Sequence, residues 1–405
     1  MKKYSIIEII SIISIISLFF SGFLKTIVSP VFGYIDECIL IIYILIYVSN
    51  LLIKKTKTIS KNSIILILNS ILMVILGLIG NYASDYQNVK FAIIVDMFSW
   101  LKFFFMFAIT YEVVKQERVN KYYEIAKKLS IFFVISGYIV YGLILIGKLN
   151  MGSRYGIKVF SLGGHPSFAC AFYAVIISIF LHKYNENKKW IIFASILEIL
   201  TLRSKAFGFC LLVILLILFL RKKINLKKIL IAAMGVVVFI WERISYYFLD
   251  TTASRAVALI TSCKILKKFF PIGSGFATFG TVMSGAYYSK AYYEFGLSSR
   301  WGFTIKNNSF IGDGGLATII GQFGFLGILI FMMNIFIIFN ILKKLVKVYK
   351  GKITDIIALV GYIGISCTNE TFFNSDVSVV FAIVLVILIK KYIKEKGEVN
   401  KEENE

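Results

Sequence analysis

The chain has 405 residues, of which 58% are hydrophobic and 17% are charged, and its mean hydropathy is +0.82. A soluble domain of this length is only about half apolar, so the composition excludes an ordinary water-soluble enzyme and indicates lipid as the main solvent. The formal net charge of +23 would suggest nucleic acid as the partner of a soluble protein. Here the charges lie mainly in short segments between apolar stretches, so we expect no nucleic-acid partner.

Apolar stretches of about 17 to 25 residues follow one another along the chain, and such a stretch crosses a hydrocarbon core of roughly 30 Å as a helix. They show neither the alternation of a barrel strand nor a one-sided stripe. The sequence therefore predicts an all-α fold, a polytopic transmembrane helical bundle of about 12 spans. The predicted spans are 5–24, 34–53, 63–80, 91–110, 129–147, 167–182, 190–202, 206–220, 229–247, 313–342, 354–369 and 377–390.

Most of the 45 Lys and Arg residues lie at the N-terminus, in alternate connecting segments and in the C-terminal tail. The positive-inside rule makes these segments cytoplasmic, so both termini are expected in the cytoplasm of a multi-pass protein of the bacterial cell (inner) membrane. A large outer loop, 248–312, lies between spans 9 and 10 and contains a basic, apolar stretch that can lie in the membrane interface. We predict one integral membrane domain, 1–393, and a disordered cytoplasmic tail, 394–405, rich in Glu and Lys.

Arginine is distributed differently from lysine. Of the seven Arg residues, five are expected on the outer side or at the outer ends of spans: Arg154, Arg203, Arg243, Arg255 and Arg300. The planar guanidinium suits phosphate and pyrophosphate oxygens, because it can bind two of them with parallel hydrogen bonds. Snorkelling to headgroups or pairing with an acid stays open for each Arg taken singly. Five together favour an anionic ligand.

Two further residues on the predicted outer side can exchange protons. His165 precedes Pro166 and can act as a general base near neutral pH, or simply as a hydrogen-bonding loop residue. Asp313 opens the tenth predicted span, where it can cap the helix and pair with an Arg, or accept the proton of a sugar hydroxyl. The sequence contains no Walker loop, D-x-D motif or His cluster, so we expect no metal and no cofactor.

Three stretches, in this order, resemble the O-antigen polymerase and ligase superfamily across roughly Arg154 to Gly327. They are Arg154 followed by Gly163-Gly164-His165-Pro166-Ser167; the short turn Leu202-Arg203-Ser204; and Ser254-Arg255 followed by Phe270-Pro271-Ile272-Gly273-Ser274-Gly275-Phe276 and then by Asp313-Gly314-Gly315-Leu316 with Gln322-Phe323-Gly324-Phe325-Leu326-Gly327. The related ligases carry a His before the tenth span, where this chain has Lys306-Asn307-Asn308-Ser309. This difference favours a polymerase of capsular, O-antigen or exopolysaccharide repeat units.

The resemblance implies a glycosyltransferase that moves a glycan from undecaprenyl pyrophosphate to the next lipid-linked repeat unit, at the outer face and without metal. It implies that Arg203 and Arg255 hold the pyrophosphate and stabilise the leaving group. Arg154 and Arg300 would assist them. His165 or Asp313 would accept the proton of the acceptor. The implied partners are the undecaprenyl-pyrophosphate-linked oligosaccharide and membrane lipid, with a flippase and a chain-length regulator as further candidates.

Two alternatives stay open, an O-antigen ligase and a lipid-linked oligosaccharide flippase or transporter. A ligase would differ in its acceptor rather than in its fold. A transporter usually has repeat symmetry, helices broken at mid-membrane and polar residues deep in the bundle. In this sequence the charges concentrate at the predicted outer surface and around one asymmetric loop, which favours chemistry at the outer face.

Overall fold

The computed structural model describes residues 6–53, 59–162, 165–221, 245, 250, 252–349, 352–367 and 372–402, and these residues are mostly helical with almost no sheet. The α-helices among them are α1 (Ile6–Phe19), α2 (Ser21–Ile27), α3 (Ile35–Ile53), α4 (Lys61–Ser84), α5 (Lys90–Val113), α6 (Val119–Leu145), α7 (Pro166–Leu181), α8 (Tyr184–Ile199), α9 (Ser204–Leu220), α10 (Ser254–Lys268), α11 (Val282–Ala286), α12 (Lys290–Glu294), α13 (Gly315–Val348), α14 (Thr354–Cys367) and α15 (Ser378–Glu402). Short 3-10 helices lie at Pro30–Tyr34, Gln116–Arg118 and Phe372–Asn374. An antiparallel ribbon pairs β1 (Ser153–Arg154) with β2 (Ile157–Lys158).

Many of these helices have the composition of membrane spans. Five segments are long and apolar enough to cross a membrane: Val31–Ser49, Lys61–Ser84, Lys90–Val113, Gln116–Leu145 and Gly315–Val348. Shorter apolar helices include Pro166–Leu181, Ser204–Leu220 and Thr354–Cys367. These helices support the predicted helical membrane bundle. The total of 12 spans and the sides of the termini stay predictions, and all but Ser245 of the ninth predicted span lies outside the described residues.

The connecting segments collect at two ends of the bundle. We call one end the loop end, because it holds the region 252–314 and the segment before α7. There, Lys290 N donates to Tyr86 O at 3.0 Å and Phe160 N donates to Leu200 O at 2.9 Å. We call the opposite end the lysine end, because the connecting segments there are rich in lysine. At this end His182 Nδ1 lies 2.7 Å from Asp355 Oδ2, and this contact joins the end of α7 to the start of α14. The two ends correspond to the predicted outer and cytoplasmic faces. At the lysine end α15 continues to Glu402, beyond the boundary predicted for the membrane domain.

The region 252–314 is folded rather than an open loop. Within the predicted basic stretch, α10 forms and packs along the first part of α13. The region has a small apolar core of its own, which includes Ile265, Phe279, Tyr292 and Leu297. Ring and aliphatic side chains from α10, α12 and the connecting turns therefore fix its shape.

One segment of this region, 271–277, turns into the bundle and interrupts α13. Gly324 of α13 has the non-helical angles φ 62 and ψ −156. Backbone groups around this break pair with the segment in three hydrogen bonds: Ser274 N to Gly321 O (2.9 Å), Gly275 N to Gln322 O (2.8 Å) and Leu326 N to Pro271 O (3.1 Å). Helix α13 covers the predicted span 313–342 from Gly315 onward and consists of two helical parts that meet at Gly324. The helix that follows the break, 325–348, is about 36 Å long and can cross a membrane by itself.

Glycine is required where the segment passes between α4 and α13. A Cβ on Gly275, which has φ 94, would lie 2.2 Å from Asn81 N of α4. A Cβ on Gly80 of α4 would lie 2.7 Å from Gly275 N, and one on Gly324 would lie 2.5 Å from Gly273 N. Each distance is shorter than van der Waals contact, so backbone would have to move to admit a side chain.

We expect Gly275→Ala to lower the free energy of unfolding by about 3 kcal/mol or more, because it adds a clash to a left-handed φ. Gly296→Ala is the matched control, since Gly296 has φ 71 with nothing within 4 Å of a built Cβ. In the control, the free energy of unfolding should fall by only about 1 kcal/mol, because the substitution adds backbone strain without a clash. Thermal unfolding of both variants in the same detergent measures the difference, and equal losses would contradict the close packing described.

Candidate functional site

The turn between α8 and α9 brings Arg203 against His165 at the loop end. Arg203 Nη2 lies 2.6 Å from His165 Nε2. His165 is the N-cap of α7 and Arg203 is the N-cap of α9, while Leu202 with φ 52 turns the chain between the helices. The positive ends of two helix dipoles therefore lie beside a guanidinium. Such an arrangement attracts an anion.

The contact with Arg203 also determines what His165 can do. A guanidinium has only donors, so Nε2 of His165 must accept and its lone pair is engaged. In a neutral ring the proton then lies on Nδ1, and the 3.4 Å contact from Ser167 N to that atom is at best weak. This geometry favours a role for His165 in orienting Arg203 over its predicted role as general base.

A buried polar cluster lies beneath this pair, inside the bundle. Glu198 of α8 is fully buried and accepts from Cys170 Sγ of α7 at 3.7 Å. Tyr362 of α14 donates its hydroxyl to the same sulfur at 3.4 Å. Lys205 of α9 is also buried, lies over the Tyr362 ring and interacts electrostatically with Glu198. The cluster places Lys205 two residues after Arg203, in the first turn of α9.

Arg255 and Asp313 lie at a second place in the loop end, where α10 meets the start of α13. Arg255 is in the first turn of α10, and Ala258 lies one turn further along. A Cβ built on Gly314 would lie 3.8 Å from Ala258 Cβ, so the residue that follows Asp313 contacts α10. Both Arg255 and Asp313 are half-buried. The fold thus brings this predicted arginine and this predicted carboxylate to one helix contact.

Arg154 and Arg300 lie at the surface of the loop end. Arg154 belongs to β1 of the ribbon, and Arg300 lies in a turn in which its N–H donates to Leu297 O at 2.9 Å. Both side chains are exposed, and neither forms an ion pair with a residue that the structure describes. Arg243, together with Gly163 and Gly164 of the resemblance, lies outside the described residues.

Sequence analysis missed an extensive buried polar network at this end. Asp96 of α5 accepts from Ala277 N at 2.6 Å, from Gln322 Nε2 at 2.9 Å and from Asn374 Nδ2 at 3.3 Å. Trp100 donates its indole N–H to Gln322 Oε1 at 2.9 Å. The network ties α5 to the inserted segment, to the break in α13 and to the turn before α15. One feature of the sequence could have indicated this network. Asp96 is a carboxylate within an apolar stretch, and burying a carboxylate in a membrane bundle is costly unless it is paired.

A cluster of charged side chains surrounds Lys102, which lies about 9 Å further along α5 than Asp96. Lys102 is 1% exposed and contacts Asp36, Glu37 at 2.8 Å and Asp376 at 4.0 Å. Asp36 and Glu37 form the first turn of α3. Ionisable residues inside a membrane bundle are expensive to bury and usually functional. The prediction that charges concentrate only at the outer surface is therefore incomplete.

An apolar crevice of about 120 Å³ lies next to Trp100, between α13 and the turn at 372–374. Ile319 and Phe331 of α13 line it on one side, and Phe372 and Phe373 line it on the other. Its volume is comparable to that of an engineered cavity of about 150 Å³ that binds benzene, so it has room for roughly one isoprene unit. Trp100 is thus shared between the crevice and the polar network around Asp96.

Other charged side chains of the folded loop region are paired with one another. Lys268 of α10 hydrogen-bonds Glu294, and this contact raises the pKa of Lys268 and lowers the pKa of Glu294. Tyr86 also accepts from Lys268, and burial raises the pKa of Tyr86 to about 12. Glu294 is therefore engaged with Lys268 rather than with Arg300.

Comparisons with known proteins supply no further assignment. No family model matches the chain, and neither a curated protein nor a solved structure matches it. Among the residues that the structure describes, no group of three or more His, Cys, Asp and Glu could hold a metal ion. The chemistry of the loop end and the motif resemblance are the grounds on which a function can be proposed.

We expect Arg203→Ala to raise the rate at which diethyl pyrocarbonate modifies His165 by roughly tenfold, because a charge-assisted hydrogen bond of about 1.5 kcal/mol no longer holds the Nε2 lone pair. Peptide mass spectrometry measures the rate. His182, the other of the two histidines, is buried between Asp355 and Glu395 and provides an internal control. An unchanged His165 rate with a steady His182 rate would contradict the Arg203–His165 contact.

Proposed function

We propose that the chain is a polysaccharide repeat-unit polymerase of the bacterial cell membrane, which transfers a glycan from undecaprenyl pyrophosphate to the next lipid-linked repeat unit. The observation that carries the proposal is the Arg203–His165 pair between the N-termini of α7 and α9. These groups together form a fixed positive site at the loop end, the face that the charge bias predicts to be external. The motif resemblance supplies the substrate class.

In the proposed reaction, an acceptor hydroxyl oxygen bonds to the anomeric carbon of the donor sugar as the bond from that carbon to the pyrophosphate oxygen breaks. The electron pair leaves with the pyrophosphate, so negative charge develops there. Arg203, held in orientation by His165, would stabilise this charge, with Lys205 adding a second positive charge behind it. Arg255 would bind the same diphosphate from α10. Preorganised donors of this kind lower a barrier by a few kcal/mol each.

The acceptor hydroxyl must lose a proton, and Asp313 is the better candidate to receive it. The lone pair of His165 Nε2 is engaged by Arg203, whereas Asp313 is a half-buried carboxylate at the contact of α10 and α13. The apolar crevice beside Trp100 would receive part of a polyprenyl chain, because it is lined by aromatic and aliphatic side chains and lies next to the start of α13. Arg154 and Arg300 would meet the glycan at the surface.

We expect Arg203→Ala to reduce polymer formation by about 10²–10³-fold, the effect of losing one preorganised donor in an acyl-transfer site. The measurement is glycan length on gels after a deletion strain is complemented at matched membrane expression. Arg221→Ala is the control, because Arg221 lies at the lysine end and donates to Tyr184. Long chains should disappear while single repeat units remain on the outer face. Accumulation of repeat units on the cytoplasmic face would overturn the polymerase proposal.

A lipid-linked oligosaccharide flippase or transporter is the second candidate, and one observation favours it. The Lys102 cluster lies deep in the bundle and contains three carboxylates for one lysine, which is the type of buried charge found on ion and proton pathways. The break in α13 argues less strongly for transport, because a helix of spanning length follows it and the break therefore lies near the loop end.

The two candidates make opposite predictions for purified protein in liposomes that contain a fluorescent lipid-linked oligosaccharide. For a polymerase, we expect dithionite to bleach only the outer-leaflet probe, at the rate of protein-free liposomes. A flippase would expose the inner-leaflet probe, and Lys102→Met with Asp36→Asn and Glu37→Gln should slow that exposure, because the triple variant removes the buried lysine together with the charges of its two buried carboxylate partners. Acceleration of bleaching by the wild-type protein would reject the polymerase as the sole activity.

A further inference from the structure

Exposed aromatic side chains mark a level at the loop end of the bundle. Tyr82 in the last turn of α4 is 92% exposed, and Phe91 in the first turn of α5 is also exposed. Phe325 is exposed as the first residue after the break in α13. Aromatic residues concentrate at the boundary between hydrocarbon and water. These three residues therefore define an aromatic belt at the ends of three helices.

The folded loop region touches this belt at two places. Phe270, which follows α10 and is 68% exposed, stacks on Phe325 with ring centroids 6.2 Å apart. Tyr287 approaches the ring of Phe91 with centroids 6.2 Å apart. Both contacts are between a loop residue and a residue at the end of a spanning helix. The loop region therefore contacts the aromatic belt, and the end of α10 lies at the same height along the bundle as the belt.

The surface of α10 opposite its buried face is basic and apolar. Ile260, Lys264 and Lys267 recur at helical spacing and are exposed, whereas Val257 and Ile265 pack against the protein. Neither Lys264 nor Lys267 forms an ion pair with any residue in the described ranges. Basic residues that alternate with exposed apolar ones are typical of helices that lie in a membrane interface and bind anionic lipids.

We propose that α10 is a docking site for anionic phospholipid headgroups of the leaflet at the loop end. Lys264 and Lys267 bind the lipid phosphates, while Ile260 and Phe270 enter the upper acyl region. An acidic glycan would match the two lysines equally well, but it would leave these two apolar side chains in water. Charge complementarity and continuity with the aromatic belt both favour lipid. Because α10 also carries Arg255, bound headgroups would hold that residue in place, a consequence that rests on the proposed function.

The test uses purified full-length protein in nanodiscs of zwitterionic lipid with increasing phosphatidylglycerol. Each lysine near an anionic surface contributes about 1 kcal/mol, so Lys264→Gln with Lys267→Gln should weaken phosphatidylglycerol binding roughly 25-fold. Lys264→Arg with Lys267→Arg is the control, because it keeps both positive charges on the same exposed face of α10. Native mass spectrometry of lipid-bound states measures the affinity for both pairs.

A second measurement tests whether Phe270 enters the upper acyl region of the membrane, and it requires no enzymatic activity. We expect fluorescence of a Phe270→Trp variant to be quenched by lipids brominated in the upper acyl chain, over and above the quenching of the wild-type tryptophans. Unchanged phosphatidylglycerol binding in the α10 double variant would overturn the proposal. So would loss of binding to an acidic oligosaccharide with lipid binding intact, because α10 would then be a glycan surface. Neither outcome depends on whether the chain polymerises glycans.

Discussion

The backbone pairing between the segment 271–277 and the break in α13 is the constraint on which the loop end depends. Peptide groups inside an apolar bundle must be hydrogen-bonded, because no water is present to replace a missing partner. The break at Gly324 leaves such groups without helical partners, and the inserted segment satisfies them. The peptide groups of the segment would likewise lack hydrogen-bond partners without α13. Asp96 strengthens the arrangement by accepting the N–H of Ala277, whose φ is 55.

This pairing positions the groups assigned to the proposed chemistry. The segment leads directly from α10, so its anchoring holds α10 along α13, where Ala258 of α10 lies beside Gly314. Gln322 is bound on one side by Asp96 and on the other by Trp100, which forms a wall of the apolar crevice. The anion-attracting pair at His165 is built separately, from two helix N-termini. A site of two parts on rigid elements suits a reaction that must hold a diphosphate and a second glycan together.

The sequence predicted the elements better than the contacts between them. Apolar runs such as 63–80 and 91–110 lie inside the observed Lys61–Ser84 and Lys90–Val113, because burial in lipid requires length and apolarity, which composition reports directly. His165 and Arg203 were singled out for separate reasons, and their contact was not foreseen. The insertion at 271–277 and the break at Gly324 could not be predicted, since backbone pairing about 50 residues away along the chain leaves no side-chain pattern. Lys102 and Asp96 were hidden by the apolar residues around them.

The charges at Lys102 also bear on how the chain enters the membrane during synthesis. A lysine in the middle of α5 opposes insertion of that helix by about 2.5–3.5 kcal/mol, and Asp36 and Glu37 in the first turn of α3 oppose insertion of α3 less strongly. These costs are offset only when the two helices meet, and α4, with no charge after its first residue, lies between them in the chain. We therefore expect helices α3 to α5 to insert cooperatively, because the charges on α3 are paired only after α5 has been synthesised.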